Sequence, residues 1–339
     1  MKKLLNTLYV TIPDAYLSKD GETVLVRVEH ETRLRVPIHT LEGIVCIGQV
    51  SMSTPLMGFC AERNVGVSFL GEYGRFLARI QGPVSGNVLL RREQYRRADR
   101  EIDSAAIARS ILIAKIANSR TSLLRAGREH PSQRLESAAT QMGQSLRLLA
   151  SANSLDSLRG VEGDAAQTYF GVFDELILQQ KDKFFFRGRS RRPPLDDVNA
   201  LLSFLYVLLA HDISSALEAV GLDPAVGFLH RDRPGRDSLA LDLMEELRPV
   251  AADRLALTLI NRRQIAASGF ATNESGGVTM NDATRKEVLV AWQLRKQEEM
   301  LHPFLEERIS LGLVPHAQAL LLARHLRGDL DAYPAFVWR

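Results

Sequence analysis

A chain of 339 residues, 45% hydrophobic and 24% charged, has the composition of a globular protein with length enough for two cores of unequal size. A formal net charge of only +3 excludes a strongly basic or acidic chain, so an anionic partner must be met by local clusters. Its two cysteines, Cys46 and Cys60, have no zinc-site spacing and read as buried free thiols in a reducing compartment.

The opening "MKKLLNTLYVTIPDAY" has a basic tip, but Asn6, Thr7, Pro13 and Asp14 interrupt the apolar run a signal peptide needs. The longest apolar stretch, "FLYVLLA" at 204–210, is shorter than a bilayer span. The expectation is a cytoplasmic protein with no membrane partner. "SKDGET" reads as a hairpin turn with Gly21 in the left-handed region. "TVLVRVE" (23–29) and "RLRVPIH" (33–39) alternate as half-buried strands, and "LEGIVCIG" (41–48) is a buried one. "TPLMGFCAERN" (54–64) opens a helix with proline, and "VGVSFLGEYGRFLARI" (65–80) returns to strand, turn and strand.

After a turn-rich linker, "QGPVSGN" (81–87), the hydrophobic period changes to that of helices. Helices are predicted over 88–126, 133–151, 164–180, 195–220, 239–248, 253–268, 282–309 and 315–327, with a short hairpin at 271–281. The fold class is α+β: a small N-terminal β-sheet domain (1–85), then a larger, mostly α-helical domain (86–339).

Several stretches carry chemistry. In "SLRGVEGDAAQTYF" (157–170) Glu162 stands between glycines ahead of a small-residue helix. Either it caps that helix, or the glycines let a ligand approach it. Residues 181–192 hold Lys181, Lys183, Arg187, Arg189, Arg191 and Arg192 against one acid, Asp182, beside three phenylalanines. Gly188 and Pro193-Pro194 make this a loop, and forked guanidinium groups next to aromatic faces suit phosphates and unpaired bases. Arg91, Arg92, Arg96, Arg97 and Arg100 form a second basic group, which is a phosphate-tracking stripe or a solvated face. In "GLDPAVGFLHRDRPGRDSLALDLMEELRP" (221–249), His230 precedes a helix bearing Asp242, Glu245 and Glu246. An imidazole with carboxylates suits Mg²⁺ or Mn²⁺, although each residue alone is equally a cap or a hydrogen-bonded side chain.

Together, "RGVEGDAAQTYF", "FFFRGRSRRPPLDDVNALLSFLY", "GLDPAVGFLH" and "LALDLMEELRP", in that order, resemble the CRISPR-associated spacer-acquisition endonuclease and integrase family. The arginine-rich loop and the chain length resemble type I-C members. The resemblance implies a metal-dependent enzyme that inserts short foreign DNA into the CRISPR array by 3′-hydroxyl attack at the repeat boundary. It assigns Glu162, His230 and Glu245 as catalytic residues and ligands of Mg²⁺ or Mn²⁺, with Asp242 and Glu246 competing for the third position. It also gives Asn199 a supporting role and places Lys183, Arg187, Arg189, Arg191 and Arg192 on DNA. The implied partners are protospacer and CRISPR-repeat DNA, the small ferredoxin-like adaptation protein Cas-two, and a second copy of the chain joined through the β domain.

A non-catalytic DNA-binding scaffold of the same architecture is the main rival, and loss of a ligand position would mark it. A small-nucleotide phosphohydrolase would need a glycine-rich phosphate cradle or a His/Asp cluster; the sequence holds neither, and His211-Asp212 stands alone in an apolar helix.

Overall fold

The computed structural model describes residues 7–29, 31–41, 43–63, 65–71, 76–80, 88–152 and 154–338. The N-terminal tip, the turn between the strands of 65–80 and the 81–87 linker lie outside the described residues. The chain forms two compact units, Met1–Gly86 with Arg285–Gln297, and Asn87–Thr284 with Glu298–Arg339.

The first unit holds two four-stranded sheets. Strands β1 (Thr7–Val10), β5 (Gly43–Ile47), β7 (Gly66–Leu70) and β8 (Phe76–Ile80) form one; β4 (Glu31–Pro37), β3 (Thr23–Val28), β2 (Ala15–Asp20) and β6 (Val50–Met52) form the other, each in that order. Every residue of β5 is buried, as its unbroken apolar run requires in a strand paired in parallel on both sides. The β2–β3 hairpin turns at Gly21, whose φ of +56° suits a residue without a Cβ. Helix α1 (Thr54–Glu62) starts at Thr54 as predicted, and Ser53 Oγ caps it, accepting from the Leu56 N–H. Leu17, Val24 and Val26 from one sheet meet Ile44, Cys46 and Val67 from the other, with Leu56 and Phe59 of α1, in a single core. Both cysteines are free and buried there, and burial pushes each thiol to about 12, so neither is a nucleophile. Arg285–Gln297, far along the sequence, also belong to this unit.

The second unit is helical. The helix predicted over 88–126 is two, α2 (Val88–Asp99) and α3 (Glu101–Glu129), parted at Arg100. Ser104 explains the break, because its hydroxyl donates to the carbonyls of Arg97 and Ala98 that a continuous helix would bond. Helix α4 (Gln133–Ser151) forms as predicted. The next helix, α5, spans Leu155–Gly171 rather than 164–180. Its start is set by a capping box between Ser154 and Ser157, and Gly160 and Gly163 lie inside it. Helix α6 (Asp197–Val220) is capped by Asp196 and ends at Gly221 with φ +92°. Among the described residues it alone has the length and apolarity to cross a membrane, and 67% of its apolar window is buried within the protein.

Helix α7 (Ser238–Leu247) continues through a π-helical turn (Arg248–Asp253) into α8 (Arg254–Asn261). Strands β9 (Phe270–Thr272) and β10 (Val278–Met280) form the predicted hairpin. The helix predicted over 282–309 stops early: α9 covers Asp282–Gln297, and β11 (Glu299–Leu301) and β12 (Arg308–Ser310) make a hairpin. The His302 ring shapes its turn by accepting from the N–H groups of Phe304 and Leu305 at Nδ1. Helix α10 (Val314–Arg327) closes the series.

Candidate active site

Glu162 lies about two turns into α5, so it is not the helix-start acid that local reading suggests. Leu158, Ala165 and Tyr169 are buried on the same face, and the three- and four-residue spacing carries Glu162 toward the interior with them. There it meets Lys115 of α3, whose Nζ donates to Glu162 Oε1 at 2.5 Å and lies 2.8 Å from Glu245 Oε2. Glu245, buried on α7, also receives both contacts of Arg248, at 2.8 and 3.1 Å. Burial pushes its carboxyl up, but Arg248, Lys115 and His230 more than reverse this and hold it at about 2. Glu245 is therefore an anion, facing Glu162 across a shared ammonium.

His230 arrives on the loop before α7. Gln94 of α2, fully buried, braces the start of that loop by donating to the carbonyls of Asp223 and Val226. Arg159 of α5 ties its end down, donating to the Leu229 carbonyl at 2.7 and 3.1 Å. Gly227 has no room for a side chain, because a Cβ would stand 2.8 Å from Asp242 Oδ2. The Asp242 carboxylate accepts the N–H groups of Phe228, Leu229 and His230 and lies 2.6 Å from His230 Nδ1. Nε2 is thus the ring nitrogen left for other work.

This geometry separates the three acids of α7. Asp242 is not placed as a ligand: its oxygens are spent on the 228–230 backbone and the His230 ring, so its role is to orient the histidine. Glu246 is also turned away, accepting from Gln318, the Tyr333 hydroxyl and the Phe336 N–H, and burial raises its carboxyl to about 7. Glu245 remains.

The donor types suit a hard divalent cation: two opposed carboxylates already share one cation, the Lys115 ammonium, and an oriented imidazole lies close enough to Glu245 to affect its charge. As positioned, no three His, Cys, Asp or Glu side chains among the described residues form a metal-holding group, since Lys115 stands between the two glutamates.

The basic loop borders this site. Arg191, with Lys115, Glu162, Tyr206, Arg248 and Asp253, lines a cavity of about 50 Å³. Lys183, Arg187, Arg191 and Arg192 are exposed, as a DNA-binding role requires. Arg189 is different: its guanidinium donates to Asn199 Oδ1 at 2.6 Å, to the Ser190 carbonyl at 2.7 Å and to Ser203 Oγ at 3.3 Å, and lies over the Tyr206 ring. These contacts hold Arg189 within the loop, unlike the exposed Lys183, Arg187, Arg191 and Arg192. Asn199, fully buried, is the brace: it accepts from Arg189 and Ser190 and donates to Gly188 and Asp196. In the Arg91–Arg100 group, Arg97 and Arg96 pair with Glu93 and Arg100 pairs with Asp103, so it is no continuous unpaired stripe.

Sequence reading missed Lys115, Arg159 and Arg248. Lys115 carried the one usable signal, a charge among the buried Ile111, Leu112, Ala114 and Ile116 of α3.

The fold and site define a class: an α+β protein whose helical unit carries an acid–histidine centre bordered by arginines. The profile of the family "CRISPR associated protein Cas1" matches residues 8–294. Over full length the chain is 54% identical to CRISPR-associated endonuclease Cas1 1 of Chlorobaculum tepidum, covering 100% of both chains. It is equally 54% identical, with 100% of both covered, to CRISPR-associated endonuclease Cas1 2 of Rhodospirillum rubrum. Its fold is similar to that of a Cas1 protein from Thermotoga maritima (TM-score 0.81, 22% identity, 95% of this chain and 97% of that one). A casposase bound to its integration product has the same fold (TM-score 0.85, 21% identity, 98% and 94%). The chain belongs to the Cas1 family.

Proposed function

We propose that this chain is a metal-dependent DNA endonuclease and integrase of CRISPR adaptation, which joins the 3′-hydroxyl of a short foreign DNA to a phosphodiester at the repeat boundary. The observation that carries it is the pairing of Glu162 with Glu245 around one cation, beside a histidine oriented by Asp242. Full-length identity to proteins named as CRISPR-associated endonucleases supports the reading.

Glu162, Glu245 and Nε2 of His230 would hold Mg²⁺ or Mn²⁺. When bound, such a cation activates the attacking oxygen and offsets charge developing on the phosphate. Asp242 keeps the His230 proton on Nδ1 and its ring in place. Arg191 and Arg192, with Lys183 and Arg187 earlier in the loop, hold the strand, and Arg189 and Asn199 give the loop its shape. Beyond α5's own backbone, Gly160 and Gly163 have no protein atom within 4 Å of where a Cβ would stand, so the outward side of α5 is open to a bulky ligand.

The finer parts of the reading are that the chain works with Cas-two on protospacer and repeat DNA, pairs as a homodimer through its β domain, acts in the cytoplasm, and belongs to a type I-C system. The exposed edge strand β4 supports the second of these, since among the described residues its outer side has no strand partner.

The test is strand transfer on branched DNA with Mg²⁺ or Mn²⁺, comparing the wild type with Glu162→Ala, His230→Ala and Glu245→Ala. Each variant should lose activity. Full activity in the His230 variant would sink the site assignment; no strand transfer by the wild type, with the small partner added, would favour the scaffold.

A further inference from the structure

Lys115 belongs to none of the motifs through which the site is read, yet it holds the site's centre. It sits in the inward part of α3, only 13% exposed, with its ammonium 2.5 Å from Glu162 and 2.8 Å from Glu245. Arg248 lies on the other side of Glu245 at 2.8 Å. Two carboxylates are thus matched by two cations, and the group is charge-balanced without any metal. Leaving the buried Glu245 beside the half-buried Glu162 without compensation would be costly, so one task of the lysine is plain.

A divalent cation needs the same oxygens. It cannot share them with an ammonium, because the two cations would repel at contact distance in a site only partly open to water. We propose that Lys115 is a tethered counter-ion that competes with the divalent cation for the Glu162–Glu245 pair, so that loading the metal displaces the ammonium. This inference rests on the metal-dependent reading of the site. Two features make the exchange feasible. A lysine ammonium is a point charge on a flexible four-carbon stem, so it can leave without moving α3. The cavity of about 50 Å³ that Lys115 lines with Arg191 and Tyr206 offers it a place close by. A phosphodiester arriving at Arg191 would take up the released charge, so DNA and metal should bind with positive coupling through this residue.

The experiment measures free Mn²⁺ by electron paramagnetic resonance in titrations of the full chain, first without and then with short duplex DNA, for the wild type, Lys115→Met, Lys115→Arg and Glu245→Gln. Melting temperatures are taken in EDTA and in Mn²⁺. Lys115→Met should bind Mn²⁺ about tenfold more tightly than the wild type, melt lower in EDTA, and gain more from Mn²⁺. Lys115→Arg, which keeps the charge, should not show the tighter binding, and Glu245→Gln should lose the site. Lys115→Gln serves if the methionine variant does not fold.

If the wild type binds Mn²⁺ and the neutral variants bind it no better, competition is overturned while the metal site stands. If neither the wild type nor the neutral variants bind Mn²⁺, the metal reading falls and the competition with it. A wild type to which short duplex DNA adds Mn²⁺ affinity, with a smaller gain in Lys115→Met, supports the coupling; equal gains overturn it.

Discussion

His230 and Asp242 are joined twice: the Asp242 Oδ1 atom lies 2.6 Å from the ring Nδ1 and accepts the backbone N–H of the same histidine at 3.0 Å. One carboxylate thereby sets both where the histidine sits and which ring nitrogen it presents. Asp242→Asn should lower strand transfer about 10- to 100-fold, as loss of an outer partner does in metal sites, with little loss of DNA affinity. Steady-state rates and equilibrium DNA binding, measured side by side, check the separation; equal losses in both would point to a collapsed loop instead.

Glycines near the site divide into two kinds. Gly227→Ala drives a Cβ to within 2.8 Å of Asp242 Oδ2, and should disable the site along with the loop. Gly160→Ala and Gly163→Ala meet no protein atom beyond α5's own backbone and lie inside α5, so each should stabilise the fold by about 0.5–1 kcal/mol. Weaker DNA binding by these more stable variants would show that the open face of α5 carries the ligand, and unchanged binding would place it elsewhere. Denaturant melts and binding titrations provide both numbers.

The arginines of the loop should part company in salt titrations. Arg191→Ala and Arg192→Ala should each reduce the slope of log affinity against log salt by about one for every phosphate the arginine neutralises. Asn199→Ala removes the brace instead. It should cost about 1–3 kcal/mol of stability through the donors and acceptors it leaves unmatched, and weaken DNA binding through loop disorder.

Asp253 predicts a pH dependence. Burial raises its carboxyl from 3.8 to about 6, against the pull of the Tyr206 and Tyr169 hydroxyls and of Arg248 and Arg189. The neutral acid is therefore the form the fold favours. Its contribution is fully present below the unfolded value of 3.8 and is lost as pH rises through about 6, up to about 3 kcal/mol. Asp253→Asn should flatten the stability profile across that window. Identical profiles for variant and wild type, by chemical denaturation at a series of pH values, would show that Asp253 ionises in the fold at no cost.

Much of this protein can be read along the chain, because local rules act over a few residues. Apolar, β-branched runs mark β3 and β4 as strands, although β3 buries Val24, Leu25 and Val26 in succession and β4 is exposed rather than half-buried; an unbroken apolar run marks β5, Asp196 and Gly221 bracket α6, and the interleaved Arg, Gly and Pro of 187–194 exclude regular structure. The motifs also place Glu162, His230 and an acid of α7 in one family. Where local signals compete, the chain's own capping decides: Ser154 begins α5 before the glycines, and Ser104 breaks the long helix at Arg100.

The order of the site is another matter. Asp242, Glu245 and Glu246 have similar chemistry and sit within little more than one helical turn, where each residue is rotated by about 100° from the next. Only the surroundings tell them apart: the 228–230 backbone claims Asp242, Gln318 and the C-terminal segment claim Glu246, and Lys115 with Arg248 leaves Glu245 facing Glu162. Arg189 is likewise one arginine among several until Asn199 turns it inward. Lys115 lies 47 residues from Glu162 and 130 from Glu245, and no local pattern links positions that distant. Packing of α3 against α5 and α7 brings them together, and with them the charge balance on which the site's chemistry depends.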